Sequence, residues 1–506
     1  MSLDQSMGIA LNSMKNNQYA LTVVSHNIAN LNTEGYHRQR VNFSESRYTT
    51  NCENAVSPIR GMNGAKIDSL TGFIDKGAFN DMIDKNSDAA YYNQMTGLLG
   101  DLEGITNELG EDGLGALLNE FYASASNLEK YPTDISIRQQ FLLSAENVCD
   151  RFNYASSKLE SLQTDQYDKV QMDIATVNSL LGDLAEANLA HITNNQSDAT
   201  RGTIENVLAQ LSDYIDINST ENPNGSVNVS IGGVDVVKGT EVKYSLESNF
   251  DPTSEKPLSL YLKTTDGENK TTNNINESLS AGSIKAFSDI FNGSKDGVSG
   301  ISYVQNMIDK AASAFGQALN DIQTYQNGDV IAASITSDPD GNMILQESTT
   351  KLVTTKDGSS TINASNIQIN PEMDKDPFLV AAARVDKSQY EGDSWKKAIG
   401  NSDNAAEFSA LRNSKIVEYD NGIKATLSDY LIHGASKVGM DAANAGDKAD
   451  LYQDLADSAA ENYSNLIGVN LDEELADMIR YQRSFEASAR VFATANNIMD
   501  IILNMV

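Results

Sequence analysis

Four histidines, two cysteines and a few glycine-bearing turns are the places where this 506-residue chain could do chemistry. His26, His37, His191 and His433 are far apart and follow no His-x-x-x-His or Cys-x-x-Cys spacing, the patterns that put two metal ligands on one helix face or one turn. The run Asp338-Pro339-Asp340-Gly341-Asn342 superficially looks like a calcium loop, but its glycine is misplaced and the twelfth-position glutamate is missing. A plain turn between strands is the expectation there. Gly113-Leu114-Gly115 opens a helix with no strand before it, so it is not a dinucleotide fingerprint. No Gly-x-Ser-x-Gly elbow or phosphate loop occurs. Carboxylate pairs are frequent, but among 70 acidic residues they mark solvated helix faces. Cys52 and Cys149 do not make a disulfide framework, and two free thiols are expected. The chain predicts no catalytic group, no metal and no cofactor.

What the chain does offer is periodicity at its two ends. Leu471, Leu475, Met478, Gln482, Phe485, Ala489, Phe492, Asn496, Met499, Leu503 and Val506 follow alternating spacings of four and three, the code of a coiled-coil seam. Asn470 stands at the N-cap position, and Asp472, Glu473 and Glu474 put negative charge at the positive end of the helix dipole. At the other end Leu3, Met7, Ala10, Met14, Asn17, Leu21, Val24, Ile28 and Leu31 carry the same spacing, stopping near Gly35. A helix of ~35 residues is a rod of roughly 50 Å, too long for an ordinary small core to cover. Neither stripe can be buried alone, so the two ends pair with each other or with other copies. Gln482 and Asn496 are polar intruders suited to setting register.

The residues between and around these seams resemble a known family. Ser25-His26-Asn27-Ile28-Ala29-Asn30-Leu31-Asn32-Thr33-Glu34-Gly35-Tyr36 resembles the amino-terminal motif of the bacterial flagellar rod, hook and hook-associated proteins. Gly468 to Leu475, Arg480 to Phe485 and Ala487 to Val491 resemble the matching carboxy-terminal motif. Internal stretches at 228–239, 364–383 and 400–411 are similar to the hook-associated branch that joins hook to filament. The motif residues singled out are Asn27, Ile28, Ala29, Asn30, Asn32, Thr33, Gly35 and Tyr36. Their asparagines either cap and turn a helix end or bond across subunits, and the second is the stronger reading in a crowded tube wall.

Composition narrows the partners. The 37 Lys and Arg against 70 Asp and Glu leave a formal charge of -33, which repels nucleic acid and anionic lipid. No apolar run reaches the roughly 20 residues that would insert in a membrane. Met1 to Ala10 lacks the pattern of a cleavable secretion signal.

Between the ends, Tyr36 to Leu70 reads as irregular or extended, and residues 75 to 215 as a helical bundle. Its longest member starts after Asp134, an N-cap, and keeps its apolar spacing through a one-residue stutter past Leu162. After Asn222-Pro223-Asn224-Gly225 the alternation at Val227, Val229, Ile231, then Val242, Tyr244, Leu246, then Leu258, Leu260, Leu262 reads as half-buried strands. Residues 301 to 325 return to helix, 329 to 370 to short strands, and the chain from Pro377 onward reads as helical.

The fold class expected is mainly α with β-rich insertions: long terminal coiled-coil helices, a helical-bundle body and a projecting β domain. Its parts are an N-terminal helix (1–36), a helical body (37–220 and 284–465), a β-rich part (221–283) and a C-terminal helix (466–506). The resemblance implies a non-enzymatic, extracellular flagellar subunit. It would pass through the type III export channel and assemble into a ring of several copies. Its implied partners are the hook protein, a second junction protein or filament subunits, and an export chaperone on the C-terminal helix. A hook or distal rod subunit shares both terminal motifs, although the long helical segment argues against it. An extracellular hydrolase carried on the polymer has no residue constellation behind it.

Overall fold

The computed structural model describes residues 3–31, 33, 36–50, 59–72, 75–107, 113–194, 198–251, 254, 256–265, 274–293 and 297–504. Asn32, Gly35, Cys52 and Val506 lie outside them.

The chain opens with α1 (Leu3–Ala29), a ribbon of β1 (Gln39–Thr50) and β2 (Ile59–Gly72), then α2 (Lys76–Asn107), α3 (Leu114–Lys130), α4 (Ile135–Thr193) and α5 (Asp198–Tyr214). The strands β3 (Asn218–Glu221), β4 (Val227–Ile231), β5 (Val234–Lys238), β6 (Glu241–Val242), β7 (Tyr244–Phe250) and β8 (Leu258–Thr264) follow. Next come α6 (Ser283–Asn292), α7 (Ile301–Gln323), β9 (Gln326–Asn327), β10 (Val330–Ser337), β11 (Met343–Glu347), β12 (Val353–Thr355) and β13 (Ile367–Ile369). The chain closes through α8 (Pro371–Lys375), β14 (Ala383–Asp386), α9 (Asp403–Ala410), β15 (Val417–Glu418), β16 (Lys424–Ala425), α10 (Leu427–Ile467) and α11 (Leu471–Asn504).

The stretch read as irregular or extended is a long antiparallel ribbon, with Gln39 opposite Gly72 and Thr50 opposite Ile59. The stretch from Pro377 carries no long helix until Leu427. Residues 377 to 426 are 3-10 turns, the short strands β14, β15 and β16 and the single short helix α9, with Pro377, Gly392, Gly400 and Gly422 interrupting any longer helix. Val242 and Leu246, read as one strand, belong to different sheets that part at Lys243.

One continuous core runs through the body. Leu99, Leu102, Leu118, Phe121, Phe141, Phe152, Val177, Leu184, Phe315 and Phe408 are all buried within it. Asp134 caps α4 by accepting from the amides of Ser136 (2.8 Å) and Ile137 (3.4 Å), and the apolar positions on both sides of the stutter are buried in this core. Gly282, opening α6, has φ +89°, and a Cβ there would lie 2.6 Å from the backbone of Ile215, so no other residue fits.

The strands are stitched to the helices by asparagine amides that imitate a neighbouring strand. On α4, Asn178 donates to the carbonyl of Leu246 and accepts from its amide, both at 2.8 Å. Ten residues on, Asn188 donates to the carbonyl of Val227 at 2.8 Å and accepts from its amide at 2.9 Å. On α7, Asn320 treats Val353 the same way, at 2.9 and 2.8 Å. Asparagine weakens a helix interior because its amide competes for backbone partners. Here those partners are strand edges. The sheet β11-β10-β14 has a small core of its own, with Ile331, Ile335, Leu345, Val385 and Trp395.

Candidate functional site: the paired terminal helices and their anchor

The two ends pair within one chain, with α1 lying between α11 on one side and the β1–β2 ribbon on the other. Asn16 Nδ2 donates to Ala65 O at 2.6 Å across the ribbon side, and Ser13 Oγ and Ser488 Oγ lie 2.8 Å apart across the helix side. Ala20, Val23, Val24, Val41 and Tyr481 form the small apolar centre, with the Phe43 and Tyr481 rings edge to face at 6.3 Å.

The seam that α11 turns inward is Glu474, Met478, Tyr481, Phe485, Ser488, Phe492, Ala495 and Met499, a strict alternation of four and three, each position buried or half-buried. Sequence periodicity finds Met478, Phe485, Phe492 and Met499 but takes the intervening members one residue too late. Of those, Ala489 is half-buried, whereas Leu475, Gln482 and Asn496 are exposed, as are Leu471 and Leu503 beyond them. α1 shows the same slip. Its inward line is Ala10, Ser13, Asn17, Ala20, Val24 and Asn27, whereas Leu3, Met7, Met14, Leu21 and Ile28 are half-buried along its flank and Leu31 is exposed. The cause is polar. Ser13, Asn27, Glu474 and Ser488 face inward because each finds a partner there. An apolar pattern passes over them, although the polar residues themselves keep seven-residue spacing from Glu474 through Tyr481 to Ser488.

At the lower end of the pair, the amino-terminal motif closes a buried polar knot. Asn27 Nδ2 donates to Glu474 Oε2 (3.0 Å) and to Gln39 O (2.9 Å), while its Oδ1 accepts from the Tyr36 hydroxyl (2.8 Å) and the Gln39 amide (3.0 Å). Both ends of this amide are therefore used inside the chain. Asn30 ends the helix instead, donating to His26 O at 2.9 Å and accepting from Thr33 Oγ1 at 3.2 Å. Asn470 caps α11, accepting from the amides of Asp472 (2.9 Å) and Glu473 (3.4 Å). The Glu473 carboxylate pairs with Arg38, whose Nε also donates to Glu474 Oε1 at 2.7 Å. Burial alone would lower the Arg38 pKa, but Glu473 and Glu474 outweigh it and hold it above the ordinary value.

A second cluster, unread in the sequence, lies just beneath. Glu205 of α5 is buried, with His37 Nε2 at 2.8 Å and the Tyr463 hydroxyl at 2.6 Å from its Oε2, and Arg201 Nε at 3.0 Å from its Oε1. Burial pushes the Glu205 carboxyl up, but His37, Tyr463 and Arg201 together hold it below the usual value. Among the described residues no group of three or more His, Cys, Asp or Glu could hold a metal ion, and no helix is long and apolar enough to cross a membrane. Cys149 is buried in the body, where burial pushes its thiol pKa up.

Comparison with known proteins agrees with this architecture from end to end. Residues 7–37 match the flagella basal body rod protein family, 99–330 the flagellar hook-associated protein FlgK helical domain, and 461–505 the flagellar basal body rod FlgEFG protein C-terminal family. The chain belongs to the flagellar rod, hook and hook-associated proteins and is a structural component of the bacterial flagellum. Within that class it is similar to flagellar hook-associated protein 1. The Bacillus subtilis (strain 168) protein of that name is 24% identical over 96% of this chain and 95% of its own length. The Salmonella typhimurium (strain LT2) protein is 20% identical over 98% and 99%. The solved structure of the flagellar hook junction protein FlgK from Burkholderia pseudomallei shares the fold, with a TM-score of 0.59 at 12% identity over 76% of this chain and 99% of that one.

Proposed function

We propose that this chain is a non-enzymatic subunit of the junction between flagellar hook and filament, and that it assembles with its own copies through the paired terminal helices. The carrying observation is the outer flank of α11. Leu471 and Leu475 are each 43% exposed and Leu503 is 68% exposed, on a helix whose other side is already covered by α1. A helix that shares alternate seam positions between two apolar flanks is suited to more than one neighbour. The terminal helices (1–36 and 466–506), with the β1–β2 ribbon laid against them, would form the inner layer of a tube, with the rest of the body (37–220 and 284–465) around it and the β-rich part (221–283) outermost.

In this reading the subunit reaches the cell exterior by the flagellar export route. A chaperone covers the outer flank of α11 on the way. It then meets hook protein on one side and a second junction protein or filament subunits on the other. Its task is mechanical, matching two polymers of different stiffness.

Electron microscopy of isolated flagella, labelled with an antibody to residues 226–280, tests placement: a band confined to the distal end of the hook is expected. Labelling along the whole hook or the rod would favour a hook or distal rod subunit instead. Cells lacking the chain separate the two again, since a missing junction leaves hooks without filaments and a missing hook protein leaves neither.

A further inference from the structure

Just before β1, the adjacent residues His37 and Arg38 send their side chains in alternate directions. His37 and Arg38 use this alternation to join two parts of the molecule. Arg38 points up, to Glu473 and Glu474 at the start of α11, and its amide donates to Ile467 O at 2.9 Å. His37 points down, 2% exposed, to Glu205 of α5. The same Glu205 oxygen that meets His37 also accepts from Tyr463, on the last turn and a half of α10 before the chain crosses to α11. Glu205 is itself fixed to the body. Arg201 bridges it to Glu221 of β3 at 2.9 Å, Lys76 at the start of α2 reaches Glu221 at 2.7 Å, and the Phe79 ring of α2 lies 5.3 Å from that of Tyr463.

We propose that Glu205 is the joint between the body and the unit made of α1, α11 and the β1–β2 ribbon, a single buried carboxylate that holds the two at one angle. The start of α2, the loop before β1 and the end of α10 all converge on it and its partners. Without it, the described chain crossings at the foot of the ribbon and at Gly468–Asn470 would connect two parts free to tilt. The joint concerns the single chain and does not depend on assembly.

The chemistry is selective enough to test by one atom. In Glu205→Gln the side chain keeps its volume but loses the charge that pairs with Arg201. With the amide oxygen kept on Arg201, the amide nitrogen faces His37 and Tyr463, which must turn from donors into acceptors to meet it, so charge-assisted contacts become neutral ones. Spin labels on the exposed positions Glu486 of α11 and Glu160 of α4, in a Cys52→Ser background, report the angle; Cys149 is buried and takes no label. The parent should give one narrow distance distribution. Glu205→Gln should at least double its width, and the milder Tyr463→Phe should broaden it less, with the thermal unfolding of the body unchanged in both. Distributions as narrow as the parent in both variants overturn the joint. So does an equal fall in body stability in both, which would make Glu205 an ordinary support of the core. Because the measurement is made on dilute single chains, its failure is distinguishable from failure of the junction reading, which is read from flagella.

Discussion

The body and the terminal pair are built from the same helical material and solve burial in opposite ways. In the body, Phe121 sits 5.4 Å from both Phe141 and Phe315, and Phe141 sits 5.1 Å from Phe408, all four rings closed to solvent and drawn from α3, α4, α7 and α9. In the terminal pair, two long helices and a ribbon share a centre of five small or single-ring residues. Phe43, the ring beside Tyr481, is itself 40% exposed. Non-local packing makes the first self-sufficient. The second is a thin layer whose stability depends on what is laid against it.

The largest effect that would break this contrast lies in the aromatic cluster. Phe141→Ala should lower the unfolding free energy of the body by about 3–5 kcal/mol, the range for deleting a buried ring, and urea denaturation of the dilute chain measures it. Phe492→Ala, on the half-buried seam of α11, should leave that transition nearly unmoved. It should instead weaken assembly by roughly 2–5 kcal/mol per subunit, read by sedimentation, if neighbours complete its burial. Equal loss of body stability from both variants would mean the terminal pair is an ordinary part of the core.

Next in size is Arg138. Its guanidinium is buried and, among the described residues, has no ion-paired carboxylate, donating to the carbonyls of Pro132 (2.7 Å), Val380 (2.7 Å) and Pro377 (3.2 Å) and lying 5.4 Å from the centre of the Phe378 ring, with Asp376 acting on it electrostatically. Burial pulls its pKa down to about 10. Arg138→Ala strands several carbonyls and should cost the body about 3 kcal/mol by the same denaturation measurement. It should leave the spin-label distance between α11 and α4 no broader.

The difference in legibility follows the same line. The body could be read because its core is apolar and regular: Val148, Phe152, Ala155 and Leu159, then Val170, Ile174 and Val177, are buried where periodicity puts them, and Asp134 starts the helix that carries them. Arg138, Glu205 and the inward Asn27, Ser13, Glu474 and Ser488 could not be read this way. Their partners are carbonyls, carboxylates and hydroxyls up to hundreds of residues away, and a periodic pattern sees only which side chains avoid water. That is why apolar periodicity places both terminal seams one residue late at every second position. The helix-interior asparagines Asn178, Asn188 and Asn320 were a usable signal, since each sits where propensity disfavours it. The 377–426 segment reads as helix in the sequence because short apolar runs look alike whether coiled or helical.

Acid should separate the two regions by sign. Glu205 has a folded pKa below its unfolded one, so its contribution is present above the unfolded glutamate value of about 4.3 and is lost as pH falls through the lower folded value. The groups facing it are His37, Tyr463 and Arg201, with Asp75 close to Tyr463. At the α2–α5 contact the sign reverses. Asp84, Asp88, Asp213 and Asp216 are all raised, chiefly by burial, so their contribution is present at low pH and lost as pH rises through their folded values. Taking the chain from pH 7 to pH 3 should therefore lower the amide protection factors, taken relative to intrinsic exchange at each pH, of residues 36–39 and 463–470 before those of α2 and α5. Protection lost first in α2 and α5 would reverse the assignment.

The smallest expected effect is the sharpest test of how the terminal pair chooses its register. Ser13 and Ser488 face each other at 2.8 Å, at positions where leucines would make a stronger apolar seam. A double-mutant cycle of Ser13→Ala and Ser488→Ala should return a coupling of about 0.5–1 kcal/mol, the worth of one neutral hydrogen bond, measured as the opening free energy of α11 by amide exchange. A coupling near zero would leave the register to Asn27, Glu474 and Arg38 alone, at one end of the rod. A measurable coupling means the seam is pinned along its length by polar pairs. The apolar residues displaced from it, Leu471 and Leu475 among them, then stay on the outer flank by construction, because slipping α11 by one position to bury them would break the serine pair and the Asn27 knot together.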